Sequence, residues 1–281
     1  MKNVIDTDLT GKVAVVTGAG GVLCSAFAKA LARAGAKVAL LNRTVEKAQR
    51  YADEIVAEGG VAKAYGCNVV DKGQCEAAAK AVLEDFGPCD ILVNGAGGNH
   101  PKATTDMEFF DPKDLDADAK TFFDLEESGL EMVFNLNFFG TLLPTQAFAR
   151  QMAGRGGCIV NISSMNAYRP LTKIPAYSGA KAAINNLTEW MAVHFSKAGI
   201  RVNAIAPGFF STAQNAALLW NEDGTPTERN RKVVAATPMG RFGEPNELEG
   251  ALLFLVNERA AGFITGVVLP VDGGFHAYSG V

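Results

Sequence analysis

The sequence predicts an α/β fold of one domain, residues 1–281, in which helices cover both faces of a doubly wound, seven-stranded parallel sheet. Short apolar runs, many of them ending in Gly or Asn, alternate with longer segments of helical periodicity. The runs are apolar on both faces, which is typical of strands in a parallel sheet that is covered on both sides. The predicted strands are Val13–Thr17, Lys37–Leu41, Val61–Gly66, Ile91–Asn94, Cys158–Ile162, Val202–Ile205 and Val267–Leu269.

The composition is that of an ordinary soluble globular protein. Apolar residues make up 48% of the 281 positions and charged residues 20%. The net charge of −4 and the lack of a Lys/Arg cluster give no positive field for a phosphate backbone. Nucleic acid is therefore not expected as a partner.

The cysteines and the apolar segments indicate a reduced, cytoplasmic protein. There are five cysteines, with neither a CxxC pair nor the Cys/His spacing of a zinc site, so free thiols and no metal are expected. The amino terminus lacks the apolar stretch of a secretory signal, and no apolar run approaches the roughly 18 residues of a membrane span. No membrane association is predicted.

Two segments do not follow the alternation of strands and helices. Residues from His100 to about Gly129 are rich in Asp, Lys and Phe and look like an insertion. Residues from Phe209 to about Thr237 are polar and would form a substrate flap if they lie over the site.

The turn after the first strand is a candidate phosphate site. Glycines let the backbone approach a pyrophosphate, and the free N–H groups of the next helix supply positive potential. The candidate cofactor contacts in this turn are Gly18, Gly20, Gly21, Val22 and Leu23. An ordinary tight turn is the alternative, but the position in the first strand-turn-helix unit favours a dinucleotide.

The end of the second strand carries Asn42 and Arg43, where a dinucleotide site meets the adenosine ribose. An acidic residue there would bind the free hydroxyls of NAD, whereas an Arg accommodates the extra phosphate of NADP. NADP is thus favoured over NAD, unless Arg43 is only a solvated surface residue. Asn68, after the third strand, is placed either to touch the adenine or to form a turn.

Ser164, Tyr177 and Lys181 form a candidate catalytic group. The spacing of four residues puts Tyr177 and Lys181 on one face of a helix. A free tyrosine, with a pKa near 10, is poorly matched to proton transfer at neutral pH, and Lys181 together with a positively charged oxidised nicotinamide would lower that pKa. Ser164 would hold the substrate oxygen. Taken alone, Tyr-x-x-x-Lys is also a common pattern of amphipathic helices.

The motifs around these residues resemble those of the short-chain dehydrogenase/reductase family, in order and in spacing. They are NGAG at Asn94–Gly97, LNFFG at Leu136–Gly140, IVNISS at Ile159–Ser164, AYSGAK at Ala176–Lys181, RVNAIAPGF at Arg201–Phe209 and FITG…VDGG at Phe263–Gly274. The resemblance implies a Rossmann fold, NAD(P)-dependent hydride transfer, and Asn137 as a fourth catalytic residue. It also implies cofactor contacts from Tyr177, Lys181, Val69, Asn94, Gly95, Ala96, Pro207, Gly208, Phe210 and Thr212.

Two departures from the family's pattern stand out. Val22 and Cys24 occupy the places of the later two glycines in the usual TGxxxGxG loop. We therefore expect the loop to curve differently or the helix to pack around a larger side chain. Gly95 replaces the second asparagine of the usual NNAG, while Asn94 keeps the structural hydrogen-bonding role of the first.

Three stretches resemble one subgroup of the family, the bacterial D-mannonate oxidoreductases, also called fructuronate reductases. They are GVLC at Gly21–Cys24, the segment Phe122–Phe148 and the tail GGFHAYSGV. The resemblance implies interconversion of D-fructuronate and D-mannonate. Another sugar, a polyol or a 3-oxoacyl substrate is the alternative, and a dinucleotide sensor without turnover is a third hypothesis.

A uronate substrate needs a cation for its carboxylate and polar partners for its hydroxyls. His100, Asn166 and Arg169 are the candidates, since they follow the fourth strand and the catalytic serine, although each could be a solvated loop residue. The family resemblance also implies a homotetramer. The helices Leu130–Ala153 and Ala176–Ala198 carry more apolar positions than one buried stripe needs, which indicates a second covered face.

Overall fold

The computed structural model describes residues 5–212 and 215–280 and contains one seven-stranded parallel sheet. Its strands are β1 (Val13–Thr17), β2 (Lys37–Asn42), β3 (Val61–Gly66), β4 (Ile91–Asn94), β5 (Gly157–Ile162), β6 (Ile200–Pro207) and β7 (Val268–Val271). All seven predicted strands are confirmed. Only β6 is substantially longer than the sequence indicated, because its extra residues pair with both neighbouring strands.

Helices cover both faces of the sheet, as predicted. They are α1 (Val22–Arg33), α2 (Val45–Ala57), α3 (Lys72–Phe86), α4 (Glu127–Phe134), α5 (Gly140–Met152), α6 (Pro175–Phe195), α7 (Ala216–Leu219), α8 (Glu228–Ala236), α9 (Glu249–Val256) and α10 (Glu258–Ala261). One apolar core joins α1, α2 and α9 to the sheet, and a second joins α3, α5 and α6 to its other face. No helix in the described ranges is long and apolar enough to cross a membrane.

The strand order β3-β2-β1-β4-β5-β6-β7 reverses direction between β1 and β4. The chain leaves β1 toward β2 on one side, whereas β4 pairs with β1 on the other side. The loops after β1 and β4 therefore diverge and leave a crevice at the carboxyl edge. A crevice of this kind is where doubly wound sheets bind ligands.

A π-helical turn, Asn135–Phe139, joins α4 and α5 into one continuous helical segment. The wider turn leaves a backbone carbonyl without its ordinary helical partner, and the Thr141 hydroxyl donates to the Asn137 carbonyl at 2.9 Å. Asn137 itself is fully buried at the centre of this turn. The predicted helix Leu130–Ala153 therefore exists, with a local widening at its candidate catalytic residue.

The two irregular segments lie against each other and against the loop that follows β5. Residues 100–129 form three short 3₁₀ turns, and α7 and α8 lie in residues 209–237. Lys232 of α8 forms an ion pair with Glu108 at 3.0 Å. Lys173, between β5 and α6, donates its side chain to the Asp106 carbonyl at 2.8 Å. Residues 100–129 thus connect residues 209–237 to the segment that precedes Tyr177.

Candidate active site

A cavity of about 510 Å³ lies at the crevice on the carboxyl edge of the sheet. Most of the residues predicted to bind a cofactor line it: Gly18, Gly20, Gly21, Val22, Leu23, Asn42, Arg43, Asn68, Val69, Gly95, Ala96, Tyr177, Lys181, Pro207 and Gly208. Ser164 lines it as well. A larger cavity, of about 860 Å³, lies at the amino edge of the sheet and contains none of the catalytic candidates.

The wall of the cavity at the turn after β1 is built from backbone. Gly18 has a φ of +67° and approaches the β4 loop so closely that a Cβ would lie 2.8 Å from the Ala96 Cα. Helix α1 then begins after Gly21 with neither a side-chain cap nor an acidic residue in its first turn. Its first N–H groups are therefore free of intrahelical partners, which creates an anion site. This arrangement fits a pyrophosphate.

Two cationic side chains also line the cavity, and one of them, Lys47, lies beside the glycine turn, since a Cβ on Gly20 would lie 2.8 Å from the Lys47 Cβ. Arg43 and Lys47 both line it, and neither forms an ion pair with another residue of the described ranges. The Asn42 side chain is engaged by protein, since its Nδ2 donates to the Thr44 carbonyl at 2.7 Å and its Oδ1 accepts from the Gly20 amide at 3.4 Å. The sequence analysis identified Arg43 but missed Lys47. The feature that could have indicated Lys47 is its place four residues after Arg43, in the first turn of α2.

Ser164, Tyr177 and Lys181 converge at the end of β5. Ser164 follows the strand, and its hydroxyl accepts a hydrogen bond from the Asn166 amide at 3.2 Å and forms another with Tyr177. Lys181 is buried, and its Nζ donates to the Ile162 carbonyl at 2.8 Å. The three side chains that the sequence grouped are therefore neighbours on one wall of the cavity.

Burial dominates the titration of this group. Burial raises the pKa of Tyr177, and the hydrogen bond with Ser164 opposes that shift only in part. Burial also lowers the pKa of Lys181 to about 8. For the protein chain by itself the shift of the Tyr177 pKa is therefore upward, because the loss of hydration outweighs the hydrogen bond with Ser164. The lowering expected from Lys181 together with a bound oxidised nicotinamide stays a prediction.

Asn137 does not line the cavity but holds the loop that does. Its Nδ2 donates to the carbonyls of Gly98 and Val133, both at 2.8 Å, and its Oδ1 accepts from the Gly98 amide at 3.3 Å. A Cβ on Gly97 would lie 2.7 Å from that Oδ1 and 3.1 Å from the Nζ of Lys181. Asn137 and Lys181 thus approach the same point of the β4 loop.

The three substrate candidates have different environments, and none lines the cavity. Asn166 is buried beside Ser164, and its Oδ1 has no hydrogen-bond partner among the described residues. Arg169 is exposed, and its Nε donates to the His276 carbonyl at 3.0 Å. His100 caps a 3₁₀ turn by accepting from the Lys102 amide at 3.2 Å, so its Nδ1 already has a structural partner.

Three predicted cofactor contacts lie outside the cavity lining. Asn94 is buried and donates to Thr145 and Asn161, each at 2.9 Å, so its side chain joins α5 to the sheet. Phe210 is buried in the core, and its backbone bridges to Gly243. At Thr212, the amide donates to the Asn215 side chain at 2.9 Å. These three contacts stay predictions, and each of the three residues also has a structural role in the fold.

Several lining residues were not predicted as contacts. They are Cys24, Thr44, Lys47, Cys67, Gly97, Gly98, Leu136, Ile162 and Ser163. Apart from Lys47, each lies within two positions of a predicted residue in the chain. A one-dimensional pattern does not specify which of several neighbouring loop residues reaches a cavity.

Known proteins match the chain over almost its entire length. The family model described as enoyl-(acyl carrier protein) reductase matches residues 18–276. An uncharacterized oxidoreductase of Haemophilus influenzae is 59% identical over 275 residues, which cover 98% of this chain and 96% of that protein.

Two crystal structures bring information about cofactors. A structure from Haemophilus influenzae, described as a candidate D-mannonate oxidoreductase with bound NAD, is 58% identical, with a TM-score of 0.95 and coverage of 99% of both chains. A gluconate 5-dehydrogenase from Burkholderia cenocepacia, in complex with NADP and tartrate, is 31% identical, with a TM-score of 0.81 and coverage of 98% of this chain and 100% of that one.

Proposed function

The chain belongs to the short-chain dehydrogenase/reductase family, and on that premise we propose that it interconverts the keto group of a sugar acid and a secondary alcohol, with D-fructuronate and D-mannonate as the substrate pair. One observation carries the proposal. Ser164, Tyr177 and Lys181 meet on the wall of a cavity whose other walls suit a dinucleotide.

The cofactor would lie across the sheet edge, with its pyrophosphate at the start of α1. When bound, the nicotinamide supplies or accepts the hydride. NADP is the preferred form in this proposal, because Arg43 and Lys47 together offer two unpaired cations to a ribose phosphate. The Asn42 amide, bonded to Thr44 and Gly20, is less available to free ribose hydroxyls.

Tyr177 would give its hydroxyl proton to the substrate oxygen in reduction and take it back in oxidation. Its buried phenol needs a positive potential to ionise, and Lys181 lies close enough to provide one. The Ser164 hydroxyl would hold the same substrate oxygen, which aligns the reacting carbon. Asn137 would fix the β4 loop beneath Lys181 through its two hydrogen bonds with Gly98.

Two side chains near Ser164 support a sugar acid. Asn166 has a buried Oδ1 without a partner in the described part of the chain, and it would accept a hydrogen bond from a substrate hydroxyl. The two terminal guanidinium nitrogens of Arg169 have no partner in residues 5–212 and 215–280 and would bind a carboxylate. The 58% identity to the structure described as a candidate D-mannonate oxidoreductase favours fructuronate. The likeness to a gluconate 5-dehydrogenase makes 5-keto-D-gluconate the second candidate.

The direct test is oxidation of NADPH and NADH by the purified protein with D-fructuronate, 5-keto-D-gluconate and a neutral ketose. We expect turnover with D-fructuronate and identification of D-mannonate as its product. Arg169→Ala should raise KM for the acids and leave the neutral ketose unaffected, with Arg150→Ala, an exposed arginine on α5, as the control. Turnover of 5-keto-D-gluconate alone would make that compound the substrate in place of D-fructuronate. No turnover of any keto compound would reject the proposal.

A further inference from the structure

Cys24 and Gly95 occupy one shared space, although 71 positions separate them. The Cys24 side chain is buried in the first turn of α1, and its Sγ donates to the Gly95 carbonyl at 3.5 Å. A Cβ on Gly95 would lie 2.3 Å from that Sγ and 3.0 Å from the carbonyl oxygen of Thr17. No side chain larger than hydrogen fits at position 95 while Cys24 is present.

We infer that Cys24 is a positioning residue, whose side chain fills the space in front of Gly95 and holds the β4 loop against Lys181 and Asn137. The two departures from the family's usual motifs are then one reciprocal exchange: a larger residue on α1 and a smaller one on the β4 loop. The inference rests on the proposed function only for the role of Lys181.

Contacts along the β4 loop connect Cys24 to the catalytic lysine. The Thr17 hydroxyl accepts from the amides of Gly95 and Ala96 at 3.0 and 3.2 Å, which fixes the start of the loop beside Cys24. Two residues later, a Cβ on Gly97 would lie 3.1 Å from the Nζ of Lys181, so the loop passes close to the lysine. A shift at Gly95 therefore changes the packing around Lys181.

The thiol acts by its size and as a neutral donor. Burial raises the pKa of Cys24 to about 12, so it stays protonated at neutral pH. Within the described ranges, the titratable side chains that face Lys181 are Tyr177 on α6 and Cys24 on α1. Loss of the thiol would admit water beside Lys181 and return its pKa from about 8 toward the ordinary lysine value.

The first test compares Cys24→Ala with Cys158→Ala. Cys158 is an apt control because it is also buried and its Sγ also donates to a carbonyl, that of Leu255, at 3.5 Å, yet it lies outside the cavity. We expect both variants to lower Tm. Only Cys24→Ala should lower kcat, by about tenfold or more, and move the alkaline limb of the pH profile to higher pH.

Cys24→Ser keeps a donor of similar size and should recover part of kcat and the original pH profile. If Cys24→Ala and Cys158→Ala lower kcat equally and leave the pH profile in place, Cys24 contributes only to stability and the inference fails.

The second test measures the shared space directly and needs neither substrate nor turnover. Gly95→Ala should lower Tm and weaken the binding of reduced cofactor, followed by its fluorescence. Cys24→Gly removes the atom that the new Cβ meets, so Cys24→Gly/Gly95→Ala should be more stable than the sum of the two single changes predicts. Strictly additive changes in Tm would overturn the reciprocal packing, whereas a wild-type protein that binds no dinucleotide would reject the proposed function alone.

Discussion

The Nζ of Lys181 lies 5.6 Å from the centre of the Tyr177 ring and donates to the carbonyl of Ile162 at 2.8 Å. The ammonium is therefore held between the end of β5 and the tyrosine one helical turn before it. This placement puts a cation next to the proposed proton donor, but at the cost of removing both groups from water. The balance between these two effects decides how the site titrates.

Tyr177→Phe should abolish turnover and leave cofactor binding nearly unchanged. The substitution removes the transferable proton while the partly buried ring keeps its packing. We expect kcat to fall by roughly 10²–10⁴-fold, the usual contribution of a general acid, and the Kd of reduced cofactor to stay within about twofold. Steady-state rates and cofactor fluorescence measure the two quantities, and near-normal turnover would remove Tyr177 from the mechanism.

Lys181→Met should also stop turnover, and yet it should stabilise the fold at neutral pH. Burial lowers the pKa of Lys181 to about 8 from an ordinary 10.5, so the unfolded chain binds a proton that the folded chain has released in this interval. Stability from this residue therefore rises with pH between about 8 and 10.5, and the full penalty of burying the cation is present below pH 8.

Methionine removes that penalty. Unfolding followed by circular dichroism should give the variant a higher Tm than the wild type at pH 7, by an amount equivalent to about 1–3 kcal/mol. The difference should narrow as the pH approaches 10. A variant that is less stable at pH 7 would show that the hydrogen bond to Ile162 outweighs the cost of burial.

Arg43→Ala and Lys47→Ala should each weaken the binding of NADPH more than the binding of NADH. A charge-assisted hydrogen bond to a phosphate is worth roughly 1.5–3 kcal/mol, which corresponds to an increase of at least about tenfold in Kd for NADPH. Titration of both reduced cofactors by fluorescence measures the effect. Arg50→Ala is the matched control, because Arg50 is an exposed cation on the same helix as Lys47, over the Tyr51 ring and outside the cavity.

If the two alanine variants changed both affinities equally, Arg43 and Lys47 would be solvated residues without a phosphate role. Wild-type protein that bound NADH more tightly than NADPH would reverse the proposed preference.

The exposed apolar side chains of α4 and α6 predict association of identical subunits, with a tetramer expected from the family. Val193 and Trp190 of α6 are 77% and 57% exposed in the single chain, and Met132 of α4 is 49% exposed. Val193→Asp should dissociate the assembly, because it would bury a carboxylate in an apolar contact. Light scattering gives the mass, and Leu218→Asp, at a 60% exposed position of α7, should leave it unchanged.

The sequence was enough for the sheet because each strand carries its own signal. Val13–Thr17 and Ile91–Asn94 are apolar on both faces, and such runs are stable only when both faces are covered. The glycines after β1 and the pair Tyr177 and Lys181 are also local patterns. Their short spacings fix their relative position within a turn or a helix, whatever the rest of the chain does.

Other features depend on residues that are distant in the chain. Cys24 and Gly95 each read as a departure from a motif, and only their contact shows that one makes room for the other. The side chain of Asn94 faces Thr145 and Asn161, although its position after a strand equally suggested the cofactor. The direction of a side chain in a loop is set by the partners that the fold brings to it.

Electrostatics was the part that the sequence did not determine. The spacing of Tyr177 and Lys181 indicated a cation near a phenol, and that proximity was correct. The sequence determined which groups meet, because spacing along a helix is fixed by the backbone. Only the tertiary structure decided the sign of the pKa shift of Tyr177, since that sign depends on how much water the surrounding elements exclude from both side chains.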